Sequence, residues 1–298
     1  MFKNIVVGVD EAEGGRDAIA LAKVLLAGGG QLTLAHVFIE DWLGSRVWTE
    51  PILESRKDRA RELLERAAEE AAIRPQIRWV GAPSVGRGLH EIAEATAADL
   101  LVVGSSRHGL LGRVLVADDT RAALNGAPCA IAVAPAGYGE APPTVMREIG
   151  VAYNGSPESK QALALARDLA TELDAEPSAF EVIAVPSLIA HGRVAANEIV
   201  IKRLVDEIRK HIKTRYGVEG YASYGEPAEE LTLYSASLDL LVVGSRGYGP
   251  LGRLVHGSTS QRLARSARCP LLVLTRAARE KAVSTESEER PEAASLAR

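Results

Sequence analysis

The sequence predicts an α/β protein made of two tandem, open, mostly parallel-sheet domains, and three observations carry that reading. The segment Asp99-Leu100-Leu101-Val102-Val103-Gly104-Ser105 returns letter for letter as Asp239-Leu240-Leu241-Val242-Val243-Gly244-Ser245. Both copies run on through Gly109-x-Leu111-Gly112-Arg113 or Gly249-x-Leu251-Gly252-Arg253 to a cysteine at the same offset, Cys129 or Cys269. A repeat this long is a duplicated domain, since solenoid repeats are about 20–50 residues. Short β-branched runs alternate with longer Ala/Leu-rich stretches, the pattern of βαβ units. Finally, Leu100–Val103 and Leu240–Val243 are apolar throughout, as strands covered by helices on both faces must be.

The elements follow in order. Strands are expected at Ile5–Val9, Leu32–Phe38, Gln76–Val80, Leu100–Val103 and Ala130–Ala134. Their counterparts are Ile149–Tyr153, Phe180–Val185, Tyr221–Tyr224, Leu240–Val243 and Leu271–Leu274. A helix over Arg16–Leu26 places Ile19, Ala22 and Leu26 on one face and is expected to stop at Gly28-Gly29-Gly30. Its partner is Lys160–Leu173. A second helix spans Ile52–Ala72 with Leu53, Ala60, Leu64, Ala67 and Ala71 facing the core; its partner, Asn197–Tyr216, presents Ile201, Leu204, Ile208 and Ile212. The stretch Ala136–Val145 has the Gly and Pro content of a linker. These elements divide the chain into a first domain (1–137), a linker (138–145), a second domain (146–276) and a tail (277–298) whose Ser/Glu/Arg content predicts disorder.

At 298 residues, each half is long enough for its own core. The formal net charge of −4, without a basic stripe interleaved with aromatics, argues against a nucleic-acid partner. Met1–Asn4 leads directly into Ile5-Val6-Val7, too short for a signal-peptide core, and no apolar stretch reaches bilayer length. The expected address is the cytoplasm, with no membrane partner. Two cysteines make no disulfide framework, and each is expected to be a buried packing thiol. None of the six histidines has metal-ligand spacing. His211 is expected to pack beside its helix stripe, and His256 stands next to Gly257 in a loop. No Ser/His/Asp order or carboxylate pair points to hydrolysis, so no catalytic residue and no metal ligand is assigned.

The chemistry concentrates in the second half. Gly244-Ser245-Arg246-Gly247 follows a buried strand, and Gly257-Ser258 opens the expected helix Ser258–Ala267. Ser258-Thr259-Ser260-Gln261 matches a capping box, and the free N–H groups of that helix start would attract an anion. A phosphate there would be held by backbone amides and by hydroxyls such as Ser245, Ser258 and Ser260, with Arg246 or Arg253 as candidate cations. The alternative is that the glycines only turn the chain and Ser258 only caps its helix. No Gly-x4-Gly-Lys-Ser/Thr is present, which excludes a Walker-type loop. After the first strand of each half stand Asp10 and Asn154. If strands one and four are neighbours, these residues face the glycine loop and can bond a ribose or a base edge, or they can simply cap a helix.

The pattern resembles the universal stress protein family, in its tandem two-domain form. The family motif Gly-x2-Gly-x9-Gly-Ser/Thr is met by Gly244, Gly247, Gly257 and Ser258, while its Asp-Gly-Ser stands as Asn154-Gly155-Ser156, with asparagine in place of the aspartate. Its Gly-x-Pro appears as Gly81-Ala82-Pro83 and Gly225-Glu226-Pro227, and the closing Cys269–Leu274 is also family-like. The resemblance implies five-stranded α/β domains ordered 3-2-1-4-5, with the last strands, Ala130–Ala134 and Leu271–Leu274, pairing the halves about a pseudo-twofold. It implies ATP as cofactor, with or without magnesium, and together with the loop reading above it assigns the site to Asn154, Gly155, Gly244, Ser245, Arg246, Gly247, Gly257, Ser258, Thr259 and Ser260. A homodimer is a further expectation, and the protein partner is left unassigned.

The first half departs from the motif. Arg107, Ala117 and Asp118 replace its second glycine, third glycine and closing hydroxyl, and Asp119 follows. A carboxylate about 4 Å from a phosphate charge would cost roughly 4 kcal/mol at an effective dielectric near 20. Asp118 is therefore expected to occupy its own helix terminus, with Arg107 as counterion, and to plug the first site. The leading expectation is a stress-associated protein that binds ATP in its second domain and signals without turnover. The alternatives are an interaction module that binds no nucleotide and a slow ATPase.

Overall fold

The computed structural model describes residues 1–10, 14–40, 50–105, 126–184, 198–245, 262–263 and 266–278. The first half contains β1 (Phe2–Gly8), α1 (Gly14–Leu25), β2 (Leu26–Ile39), α2 (Glu50–Glu70), β3 (Gln76–Ala82), α3 (Val85–Ala95), β4 (Leu100–Gly104) and β5 (Ala130–Ala134). The second contains β6 (Glu148–Tyr153), α4 (Pro157–Leu173), β7 (Glu176–Ala184), α5 (Glu198–Tyr216), β8 (Glu219–Gly225), α6 (Pro227–Tyr234), β9 (Leu240–Gly244) and β10 (Leu271–Leu274).

All ten strands form one sheet in the order β3-β2-β1-β4-β5-β10-β9-β6-β7-β8. Each half is thus 3-2-1-4-5 and parallel, while β5 and β10 run antiparallel at the centre. The register of that pair shows the symmetry: Ile131 faces Val273 and Val133 faces Leu271, which are equivalent pairs under the repeat, while Ala132–Leu272 maps onto itself. A pseudo-twofold axis therefore passes through Ala132 and Leu272. Both are fully buried.

The sheet separates two cores that each run through both halves. On one face, α1, α2, α4 and α5 cover Ile5, Val7, Leu100, Val102, Ile149 and Val151. On the other, α3 and α6 cover Val6, Leu101, Val103, Leu241 and Val243. Successive residues of Leu100–Val103 therefore belong to opposite cores, which is why the run is apolar throughout. The repeated aspartate that opens it has a structural task. Asp99 accepts the backbone N–H groups of Lys3 and Asn4 at 2.7 and 3.1 Å, and Asp239 those of Arg147 and Glu148 at 2.7 and 3.0 Å. Each carboxylate ties the start of the fourth strand to the start of the first.

Three expectations need correction. The first helix ends at Leu25, and Gly28–Gly30 lie within β2. Between Phe2 and Asn4 the partner jumps from Leu26 to Gln31, so the glycines form an irregularity in the ladder and not a helix stop. On α5, only Ile212 of the expected stripe is buried, and Leu204 is 41% exposed. This helix packs mainly along β8, which is the edge strand of the sheet among the described residues. On α2 the buried positions are Ala60, Leu64 and Ala68, while Ala67 and Ala71 are only partly covered. Cys129 and Cys269 are buried free thiols, as expected. Among the described residues, no helix is long and apolar enough to cross a membrane. Val185 and Asn197, at the ends of two expected elements, and the tail from residue 279 lie outside the described residues.

Candidate functional site

The first and fourth strands of the second half are neighbours. β6 pairs in parallel with β9, with Ile149 opposite Leu240 and Ala152 opposite Val243. From β6 the chain crosses to β7, and from β9 to β10 on the other side, so the strand order reverses between them. Beyond the C-terminal ends of such a strand pair lies the crevice in which open α/β sheets take ligands. Asn154 and Gly155 follow β6 directly, Gly244 closes β9 and Ser245 follows it. These four predicted residues are thus brought to one end of one strand pair.

The loop after β6 is built from its own side chains. Asn154 Oδ1 accepts the Ser156 N–H at 3.2 Å, closing an Asx turn. Gly155 sits at φ 74°, where a side chain would be strained. Ser156 is the N-cap of α4: its Oγ accepts the Ser159 N–H at 3.2 Å, and Pro157 starts the helix. The cap is therefore Ser156, not Asn154. Asn154 is exposed beyond the end of β6, with its side-chain oxygen engaged in shaping the loop.

Gly244 has a packing reason of its own. A Cβ there would lie 2.6 Å from the Glu158 carbonyl oxygen and 2.8 Å from its carbon, backbone atoms of the first turn of α4. The bare backbone lets α4 start directly against the end of β9. Ser245 is buried, and its N–H is donated to the Leu274 carbonyl at 3.1 Å. That amide is committed to the sheet and is not available to an anion. Arg246, Gly247, Gly257, Ser258, Thr259 and Ser260 lie outside the described residues, as do Arg253, His256 and the first-half residues Arg107, Ala117, Asp118 and Asp119.

Beside the crevice stands a polar cluster that sequence reasoning missed. Tyr153, the last residue of β6, places its hydroxyl 2.8 Å from that of Tyr216 at the end of α5, and the rings meet edge to face at 5.6 Å. Burial pushes the Tyr153 phenol above its usual range. The hydrogen bond from Tyr153 holds Tyr216 lower. Glu181 lies opposite Tyr153 on β7, and its carboxyl is raised by burial, with His211 opposing the shift. His211 itself is exposed and not a packing residue. In the first half, His36 Nδ1 lies 2.8 Å from the Val9 carbonyl oxygen.

Asp17 was also missed. It is only 5% exposed, on α1, and its two oxygens accept the linker N–H groups of Gly137 and Gly139 at 2.9 and 2.6 Å. Its signal in the sequence is a lone acid inside the apolar helix segment Asp17-Ala18-Ile19-Ala20-Leu21-Ala22. The linker is thereby fastened to the first helix.

Fold and strand order together define a duplicated, doubly wound α/β protein with a strand-order switch point in each half. The family model described as "Universal stress protein family" matches residues 1–135 and 146–275. The chain belongs to the universal stress protein family. A universal stress protein of Mycobacterium tuberculosis is 30% identical over 183 residues, covering 59% of this chain and 61% of that protein. This chain thus spans about three fifths of the length of that relative. A universal stress protein of Mycolicibacterium smegmatis is 27% identical over 289 residues, covering 91% of this chain and 96% of its own. Among solved structures, a universal stress protein from Archaeoglobus fulgidus shares the fold with a TM-score of 0.63 at 16% identity, over 92% of this chain and 96% of that one.

Proposed function

We propose that this protein binds an adenine nucleotide, ATP with or without magnesium, at the crevice beyond β6 and β9, and that occupancy signals state without turnover. The observation that carries the reading is the parallel β6–β9 pairing, which puts the Asn154–Gly155 loop beside Gly244 at the switch point. The intact spacing from Gly244 and Gly247 to Gly257-Ser258 supports it, because a helix expected from the sequence to start at Ser258 would offer amides to phosphate. In this reading, Asn154 bonds the sugar or base, and Ser258, Thr259 and Ser260 take the phosphates with Arg246 as a cation. Ser245 contributes at most its hydroxyl, since its amide serves Leu274. No side chain is given a catalytic role. The first half is assigned no nucleotide, because Asp118 takes the motif position of Ser258 and its charge would oppose a phosphate.

The test is to denature the purified protein and quantify released nucleotide per chain, then titrate ATP into stripped protein with and without Gly257→Asp. One equivalent, lost in the variant, is expected. Two equivalents would refute the plugged first half. Absence of both released nucleotide and binding heat would leave a nucleotide-independent interaction module, and turnover abolished by Gly257→Asp would make the protein a slow ATPase.

A further inference from the structure

The two halves differ at a second place, away from the glycine loop. Tyr153 of the second half corresponds to Val9 of the first, each standing just before the loop residue Asn154 or Asp10. The left-handed residue that follows the second helix is Ala72 in the first half and Gly217 in the second, so Ala71 and Tyr216 take matching places. In the second half these positions hold two tyrosines whose hydroxyls meet at 2.8 Å and bridge β6 to the end of α5. In the first half they hold two small aliphatic side chains, and both line a cavity of about 730 Å³ between α1, α2 and the linker. The hollow exists where the tyrosine bridge is missing.

Its walls decide what it would hold. Ile19, Val24, Leu63 and Ala67 continue the apolar surface of Val9 and Ala71, and Pro142 and Pro143 of the linker form the opposite wall. The linker is held there by the buried Asp17 carboxylate. Three cations, Arg16, Lys23 and Arg66, stand against two carboxylates, Asp10 and Glu70. Arg16 is paired with Glu70 at 3.4 Å, and the Lys23 ammonium lies 3.1 Å from the Ala71 carbonyl at the mouth of the hollow. The lining therefore carries a net positive charge above an apolar floor. The volume falls within the range of about 300–1,000 Å³ typical of small-molecule sites, and a mainly apolar lining with a few polar groups is their usual character. Val9 and Asp10, the counterparts of Tyr153 and Asn154, place one end of the hollow at the end of β1, and from there it runs between α1 and α2 to the linker.

We propose that the α1–α2 hollow of the first half is a binding site for a small amphiphilic carboxylate, with its chain against Val9, Ile19, Val24 and Leu63 and its acid group toward Lys23 and Arg66. The site lies in the other half from the proposed nucleotide crevice, although Asp10 at its edge is the counterpart of Asn154. It gives the degenerate half a ligand of its own, and a bound ligand there touches the linker that joins the two domains.

The test uses full-length protein and decanoate as probe, by calorimetric titration and by thermal shift. One saturable site per chain is expected. The double variant Val9→Tyr/Ala71→Tyr, which rebuilds the second half's tyrosine pair, should weaken decanoate at least tenfold while the far-ultraviolet spectrum stays native. If that variant does not fold, Arg66→Glu on the exposed side of α2 serves in its place; it should weaken decanoate severalfold and leave decanol unaffected. Absence of saturable decanoate binding to folded protein overturns the proposal. So does binding that neither the tyrosine pair nor Arg66→Glu reduces, since the probe would then sit elsewhere.

Discussion

Replacing Asp17 with alanine should loosen the joint between the domains, and the structure sets the size of the effect. The side chain is 5% exposed and accepts two backbone N–H groups, Gly137 at 2.9 Å and Gly139 at 2.6 Å. Hydrogen bonds to a charged partner contribute about 1.5–3 kcal/mol each. The pair is therefore worth roughly 3–6 kcal/mol before relaxation, and a half-buried linker that can recruit water recovers part of it. A net loss of about 2–4 kcal/mol is expected for Asp17→Ala, with Asp17→Asn in between because it keeps one acceptor. Equilibrium unfolding in guanidinium chloride measures the loss. Chymotryptic cleavage after Tyr138 should accelerate in parallel, because that residue lies between the two tethered glycines. A change under about 0.5 kcal/mol with unaltered cleavage would refute the reasoning, since surface substitutions away from special features fall in that range.

Gly244→Ala should destabilise the fold by about 1–3 kcal/mol, the usual cost of overpacking, because the added Cβ meets Glu158 backbone atoms at 2.6 and 2.8 Å; an unchanged melting temperature would show that α4 gives way freely. Asp99→Ala and Asp239→Ala should each cost about 1–3 kcal/mol and by similar amounts, since each leaves two strand-start N–H groups without their acceptor; strongly unequal losses would contradict the equivalence of the two clamps. Glu181 has a carboxyl raised by burial, so its contribution favours the folded state at acid pH and is lost as pH rises through its folded value. Glu181→Gln should therefore gain stability relative to the parent at pH 7 but not at pH 4, as read by denaturant midpoints at the two values. A gain of equal size at both would trace to something other than ionisation.

The strands were legible because their signal is local. Leu100–Val103 and Leu240–Val243 read as doubly covered strands, and the structure puts alternate residues into the two cores. Ala130–Ala134 and Leu271–Leu274 fell at their expected bounds. The 3-2-1-4-5 order and the central pairing of the halves came through the family resemblance, not through any pattern in the residues. The candidate site was legible in part: Asn154, Gly155 and Gly244 share one end of a strand pair, but the cap proved to be Ser156 and the Ser245 amide proved to belong to the sheet. The α5 stripe failed because periodicity identifies the apolar face of a helix, not whether anything lies beneath it.

What the sequence alone determined is the duplication, the succession of strands with the first two helices of each half, and the motif asymmetry between the halves. All three are written in neighbouring residues and their periodicity. Only the tertiary structure decided that Asp17 grips a linker 120 residues away. It alone brought Gly244 against Glu158 and set the Tyr153–Tyr216 bridge opposite the hollow lined by Val9 and Ala71. These are contacts between segments distant along the chain. Their energy depends on the space left when helices pack on a sheet, and no local pattern of residues encodes that space.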